Sequence, residues 1–182
     1  MDGSGIYLYT SGKRWEITFS CIWVLKVECF GVCVTKFNML IGEYTHTLDT
    51  KRRLSLPSKF RKEVGKKVVI TNGLEGCLFV YSIKQWEKVT EKLTELSFGK
   101  ANTRDFNRFM LGGAVESEVD PIGRILIPDF LKDFANLKNK VSVVGVHDRI
   151  EIWNEKAWSA YKSRIEKQAD VLAEKLGEIG AI

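Results

Sequence analysis

One set of residues occurs twice in this chain. Asp49, Arg53, Leu54, Leu56 and Pro57 return as Asp120, Arg124, Ile125, Ile127 and Pro128 at a constant offset. Leu78, Val80, Tyr81 and Trp86 return as Ile150, Ile152, Trp153 and Trp158 at an offset one residue longer. So many matched positions with so little drift mean one supersecondary unit built twice. The chain is therefore expected to divide into a first unit over 39–98, a linker helix over 99–113 and a second unit over 114–182. Residues 1–38 resemble neither unit.

Each unit reads as strand, tight connection, strand, short helix, strand, strand, longer helix. The alternation in "RLSL" and "RILI" predicts half-buried strands. Pro57 and Pro128 end those strands, and either can open a helix, where its missing N–H costs nothing. Asn72–Gly73 marks a turn between two apolar runs. Ser82 and Gln85 form a capping box for a helix carrying Trp86, Val89 and Leu93. Asn154 is the matching cap in the second unit, ahead of an apolar stripe of Trp158, Tyr161, Ile165, Leu172 and Leu176. The linker helix has Thr103 as its expected cap and is stopped by Gly112–Gly113.

At 182 residues the chain is long enough to bury a core without disulfides or metal. Cys21, Cys29 and Cys33 lie early, and only Cys77 follows, which is no disulfide framework and fits a reducing cytoplasm. Cys29 and Cys33 have no histidine near them to complete a metal site. The apolar stretch 17–37 is interrupted by Lys26 and Glu28. Each would cost about 2.5–3.5 kcal/mol at the centre of a membrane helix, so neither a span nor a signal peptide is expected. The pattern begins at Met39. We read the preceding segment as an upstream extension, a misassigned start, with an accessory strand pair as the other reading.

The two copies differ in charge. Residues 50–67 carry Lys51, Arg52, Arg53, Lys59, Arg61, Lys62, Lys66 and Lys67 against Glu63 alone, while the whole chain has a net charge of only +5. The cation excess is one patch, and the rest of the chain is slightly acidic. Such density exceeds what solubility asks of a surface and points to a polyanion. If three or four cations neutralise phosphates, log K falls against log salt with a slope of about −3 to −4 per bound unit. Thr47, Thr50, Ser55 and Ser58 are placed to add neutral phosphate contacts.

No catalytic constellation accompanies the patch. His46 and His147 are the two histidines, and no nucleophile motif, phosphate loop or paired metal-ligand spacing is present. Neither an enzyme nor a cofactor is expected. Asp49 with Arg53, and Asp120 with Arg124, are acid–base pairs across a turn. The acid is placed to accept turn N–H groups and hold the guanidinium bidentately. An arginine so oriented has donors left for a phosphate or a guanine edge. Its bare surroundings favour a structural role for Arg124, and the neighbouring cations favour a contact role for Arg53.

"GEYTHTLDTKRRLSLPSKFR", "GAVESEVDPIGRILIPDFLKDFANL" and "DRIEIW" together resemble the MraZ family, over Met39 to about Arg164. The resemblance implies an α+β fold of two tandem AbrB/SpoVT-like swapped-hairpin β-barrel units with short flanking helices, related by a pseudo-two-fold. It implies a cytoplasmic, nucleoid-associated transcriptional regulator, usually a repressor. Its partners would be repeated promoter elements of double-stranded DNA, upstream of the division and cell-wall gene cluster, and copies of itself in a ring-shaped homo-oligomer. Carried over by motif, Arg53 and Arg124 match the family arginine, and Asp49 and Asp120 its acid. Arg61 and Lys62 match a basic pair on the first helix, and His46 a basic strand position. The glycine usual before the first arginine is Arg52 here, while Gly123 keeps it in the second copy. Arg52 is then either a cost in the turn or an added DNA contact. The expected contacts are Arg53, Lys51, Arg52, Lys59, Arg61 and Lys62, with Arg124 and His46 secondary. An assembly protein acting through the C-terminal amphipathic helix is the competing reading.

Overall fold

The computed structural model describes residues 6–10, 13–17 and 39–178. The chain divides into two compact units, residues 1–37 and 38–182. In the first, β1 (Ile6–Thr10) pairs antiparallel with β2 (Lys13–Ile17), with Ile6 opposite Ile17. The rest of 1–38 lies outside the described residues.

In the second unit both copies follow one plan. The first supplies β3 (Leu40–Thr47), β4 (Arg53–Ser55), α1 (Ser58–Val64), β5 (Lys67–Asn72), β6 (Leu78–Ser82) and α2 (Ile83–Glu95). After α3 (Ala101–Gly112), the second supplies β7 (Val115–Glu118), β8 (Arg124–Leu126), α4 (Asp129–Phe134), β9 (Lys140–His147), β10 (Ile150–Asn154) and α5 (Glu155–Glu166), and α6 (Ala169–Glu178) ends the described chain. The caps follow the sequence at two of three places. Ser82 Oγ accepts the Gln85 N–H at 3.3 Å, and Asn154 Oδ1 accepts those of Lys156 and Ala157. Thr103 is not a cap: α3 starts two residues earlier, behind Lys100, and has no side-chain cap.

The two copies exchange strands. Six strands form one antiparallel sheet in the order β3-β9-β10-β6-β5-β7, and β4 pairs with β8 in a separate ribbon. The leading strand of each copy is thus hydrogen-bonded to the other copy, β3 to β9 and β7 to β5. The order reads the same from either end once the copies are interchanged, which is the pseudo-two-fold that the repeat implies. The fold is mixed α and β around this sheet.

The core explains why β5, β6, β9 and β10 are apolar almost throughout: both of their faces are covered. One face packs Val68, Ile70, Leu78, Val80, Val141, Val143, Ile150 and Ile152 against the ribbon residues Leu54 and Ile125 and against Phe60 and Leu131 of α1 and α4. Each fully buried leucine or isoleucine contributes about 1.5–3 kcal/mol, so the ribbon is anchored from beneath. The other face packs Phe79, Tyr81, Val144 and Trp153 with Leu93 and Met110 of α2 and α3. The predicted C-terminal stripe is split by a break at Lys167–Gln168. Trp158 and Tyr161 pack on Trp153, with ring centroids 5.4 and 4.9 Å away. Beyond the break, Leu172 and Leu176 remain exposed.

Candidate nucleic-acid interface

The ribbon places both motif arginines on one surface. In its register Arg53 lies opposite Leu126, Leu54 opposite Ile125 and Ser55 opposite Arg124. Leu54 and Ile125 are fully buried. Because side chains alternate along a strand, Arg53, Ser55, Arg124 and Leu126 share the outward face. The sequence suggested a contact role for Arg53 and a structural one for Arg124, but it did not indicate that they would be neighbours.

The turns leading into β4 and β8 are near copies. Asp49 and Asp120 each receive the N–H three residues on at the backbone carbonyl, and each Oδ1 accepts the N–H of the motif arginine, at 2.7 Å from Arg53 and 2.8 Å from Arg124. The guanidinium groups differ. Arg124 Nε donates to Asp120 Oδ2 at 2.7 Å, and the carboxylate also accepts the Ile122 N–H. These donors, the Arg124 backbone N–H foremost, hold the Asp120 carboxyl below its usual range. The expected bidentate pair is therefore a single side-chain bond with two backbone N–H groups beside it. Asp49 makes no such pair. Among the described residues the Arg53 guanidinium has no ion pair and no side-chain hydrogen bond.

The two turns also clasp each other. The Leu56 N–H donates to the Gly123 carbonyl at 2.9 Å, and the Ile127 N–H donates to the Arg52 carbonyl at 3.0 Å. Both turn residues are left-handed, Gly123 at φ 82° and Arg52 at φ 60°. Arg52 therefore holds the glycine conformation with a side chain, and its guanidinium reaches Asp129 of α4 at 2.6 Å. At Gly123 an added Cβ would lie 2.2 Å from Nε of Arg61, so any side chain there would have to displace Arg61. Arg61 extends from α1 across the ribbon, donating from Nε to the Leu56 carbonyl at 2.7 Å and from Nη2 to Ser55 Oγ at 2.9 Å. Three of the expected contact residues, Arg52, Arg61 and Arg124, thus have partners within the protein.

Thr47, Thr50 and Lys51 are exposed ahead of β4, and Ser58, Lys59 and Lys62 are exposed on α1, which meets the ribbon through Arg61 at Ser55. Lys66 and Lys67 line a cavity of about 520 Å³ with Arg61, Glu118 and Asp120. His46 is half-buried on β3. Burial first, and the Arg61 charge second, lower its pKa. The unfolded chain then takes up this proton at higher pH than the folded one. Its contribution to stability is full above about pH 6.5 and is lost as pH falls through the folded pKa. Chemical denaturation of wild type and His46→Gln across pH 5 to 8 checks this: the substitution should flatten the fall below about pH 6.5.

Two participants were not singled out in the sequence. Asp129 occupies the place of Ser58 in the first copy, and its pairing with Arg52 depends on the strand exchange. Leu126, which takes the place of Ser55, looked like one more apolar residue of an alternating strand. Its outward direction follows from the alternation, but its proximity to Arg53 does not.

A family model described as "MraZ protein, putative antitoxin-like" matches residues 39–109 and again residues 110–176. A "Transcriptional regulator MraZ" of Caldicellulosiruptor saccharolyticus is 47% identical over 142 residues, covering 78% of this chain and 99% of that protein. Proteins of the same description from Caldanaerobacter subterraneus subsp. tengcongensis and Moorella thermoacetica are each 47% identical, over 140 and 138 residues, covering 77% and 76% of this chain and 95% and 96% of their own. No helix among the described residues is long and apolar enough to cross a membrane.

Proposed function

The chain belongs to the MraZ family, and from that premise we propose that it is a transcriptional regulator that binds double-stranded DNA through the β4–β8 ribbon. The observation that carries this is the ribbon's outward face. Arg53 stands there with no side-chain partner among the described residues, two residues from exposed Lys51, while exposed Lys59 and Lys62 lie on α1, which meets the ribbon at its Ser55–Arg124 end. A two-stranded ribbon fits the major groove, where an arginine can read the O6 and N7 edge of guanine. The lysines, being compact charges on flexible stems, suit phosphates and set register. Asp49 and Asp120 shape the turns, and Arg61 holds the ribbon to α1. Lys62 and His46 lie at its margin. The chain exchanged between copies is the swapped-hairpin arrangement of the family, with one composite reading face per chain.

On this reading the protein is a repressor of the division and cell-wall gene cluster, acting in the cytoplasm at the nucleoid and binding, not catalysing. It engages repeated promoter elements as a ring-shaped homo-oligomer. Linking weak units in this way raises avidity by about 10² to 10⁴. An apolar strip supports self-association. Phe130 and Phe134 are exposed on α4, and Phe134 meets Phe109, which stacks on exposed Phe106 of α3. In the first copy the places of Phe130 and Phe134 are taken by Lys59 and Glu63. Phe130→Asp is expected to reduce the mass seen by light scattering to that of smaller species. An unchanged mass would remove the strip from the interface.

Genome-wide mapping of bound DNA tests the target class and the spacing of the repeats together. Enrichment at repeated elements before the division and cell-wall genes is expected, and a pattern without repeats would defeat the assignment. The competing reading, partner binding through the C-terminal helix, is favoured by exposed Val171, Leu172 and Leu176 on α6. It requires DNA binding that is absent or indifferent to salt.

A further inference from the structure

We infer that Asp129 sets the strength of DNA binding by competing with a DNA phosphate for Arg52. The inference rests on the DNA-binding reading of the ribbon and adds a residue outside the family's motif.

The pseudo-two-fold supplies an internal control. Two equivalent turns lie at the ribbon's ends, and each faces the short helix of the other copy. At one, the turn residue is Gly123, the helix opens with Ser58, and the Arg61 side chain fills the space that a Cβ would take. At the other, the turn residue is Arg52, the helix opens with Asp129, and the two join in an ion pair of 2.6 Å. The side chain of Lys132, which takes the place of Arg61, has no hydrogen bond or ion pair among the described residues. A cavity of about 380 Å³ lies there, bordered by Arg52, Lys132, Asp49 and Asp133. The glycine, the serine and the arginine have all changed at one end only.

Arg52 is a costly choice for this position. It stands at φ 60°, where a Cβ crowds the backbone. Forming the turn does not need it, since Gly123 makes the same turn with the same backbone bonds. What Arg52 adds is a guanidinium at the end of the cationic face, one residue from Arg53.

The pair is built to be exchanged. The Arg52 side chain is 35% exposed and that of Asp129 is 70% exposed. An ion pair so accessible adds little stability, so a phosphate can take the guanidinium while water takes the carboxylate. Asp129 then keeps favourable surroundings in the first turn of α4, at its positive end. Each DNA unit bound thus forfeits one ion pair. Single-unit binding is weakened, and an array of repeats becomes more necessary for stable occupancy.

A double-mutant cycle tests this with Arg52→Gly, Asp129→Asn and the two combined, each titrated over several salt concentrations. The probe is a promoter duplex from the region preceding the division and cell-wall genes. Arg52→Gly relieves the strained turn, and thermal melts verify that all four proteins fold. Asp129→Asn should tighten binding about two- to five-fold when Arg52 is present and leave it unchanged when residue 52 is glycine. Arg52→Gly should make the salt slope shallower by about 0.9 per bound unit. The same gain from Asp129→Asn in both backgrounds would mean general charge repulsion and would overturn the inference, as would no gain or an unchanged slope. Salt-indifferent behaviour of the wild type would bring down the DNA-binding reading, and this inference with it.

Discussion

Arg53→Ala is expected to abolish specific DNA binding while leaving the protein folded and its assembly intact. The Arg53 guanidinium has no partner among the described residues, so its removal takes no internal bond away. Its backbone N–H still donates to Asp49, and Leu54 beneath it still fills the core. The stability change should stay within about 0.5 kcal/mol, as for ordinary surface substitutions. The binding loss should be far larger. A bidentate contact to guanine supplies about 1–3 kcal/mol of discrimination, and a multivalent assembly loses it at every engaged unit. Binding isotherms on a repeat-bearing duplex, paired with urea denaturation, separate the two effects. Arg124→Ala should behave differently, because it also breaks the bond to Asp120 and leaves that carboxylate with only its backbone donors.

The second large effect is on folding. Gly123→Val places a Cβ 2.2 Å from the Arg61 Nε, at a residue with φ 82°. A left-handed non-glycine residue costs about 1–2 kcal/mol. The displaced Arg61 would also lose its bonds to the Leu56 carbonyl and Ser55 Oγ, each worth about 1.5–3 kcal/mol as a bond from a charged donor. Together these give a destabilisation of about 4–8 kcal/mol when both bonds are lost, readable as a fall in the urea midpoint. The reciprocal substitution, Arg52→Gly, should be neutral or mildly stabilising. Equal costs at the two turns would contradict the asymmetry described here.

The repeat carried most of what could be read beforehand. Leu54, Leu56, Ile125 and Ile127 alternate as half-buried strands should, and all four are fully buried. Ser82 and Asn154 cap the helices that they precede because that chemistry is local. What the sequence withheld depends on contacts between distant segments. Strand alternation says that Arg53 points away from Leu54, but only the β4–β8 pairing brings Arg124 to the same face. The repeat does not tell which strands pair across the copies, and it is β3 and β7 that each complete the other copy's sheet. Thr103 failed as a cap because the helix begins earlier, and the C-terminal stripe failed as one helix because the chain turns at Lys167–Gln168. Arg52 shows both sides. The missing glycine could be seen in the sequence, while the acid that receives its side chain could be found only by folding the chain.

The most direct test is the salt dependence of binding by the wild-type protein. Gel shifts or anisotropy titrations would compare duplexes carrying the promoter repeats with duplexes of the same composition in scrambled order. We expect tight binding to the repeats alone, with a slope of log K against log salt of about −3 to −4 per bound unit. Binding that ignores both the repeats and the salt concentration would contradict a ribbon that reads DNA.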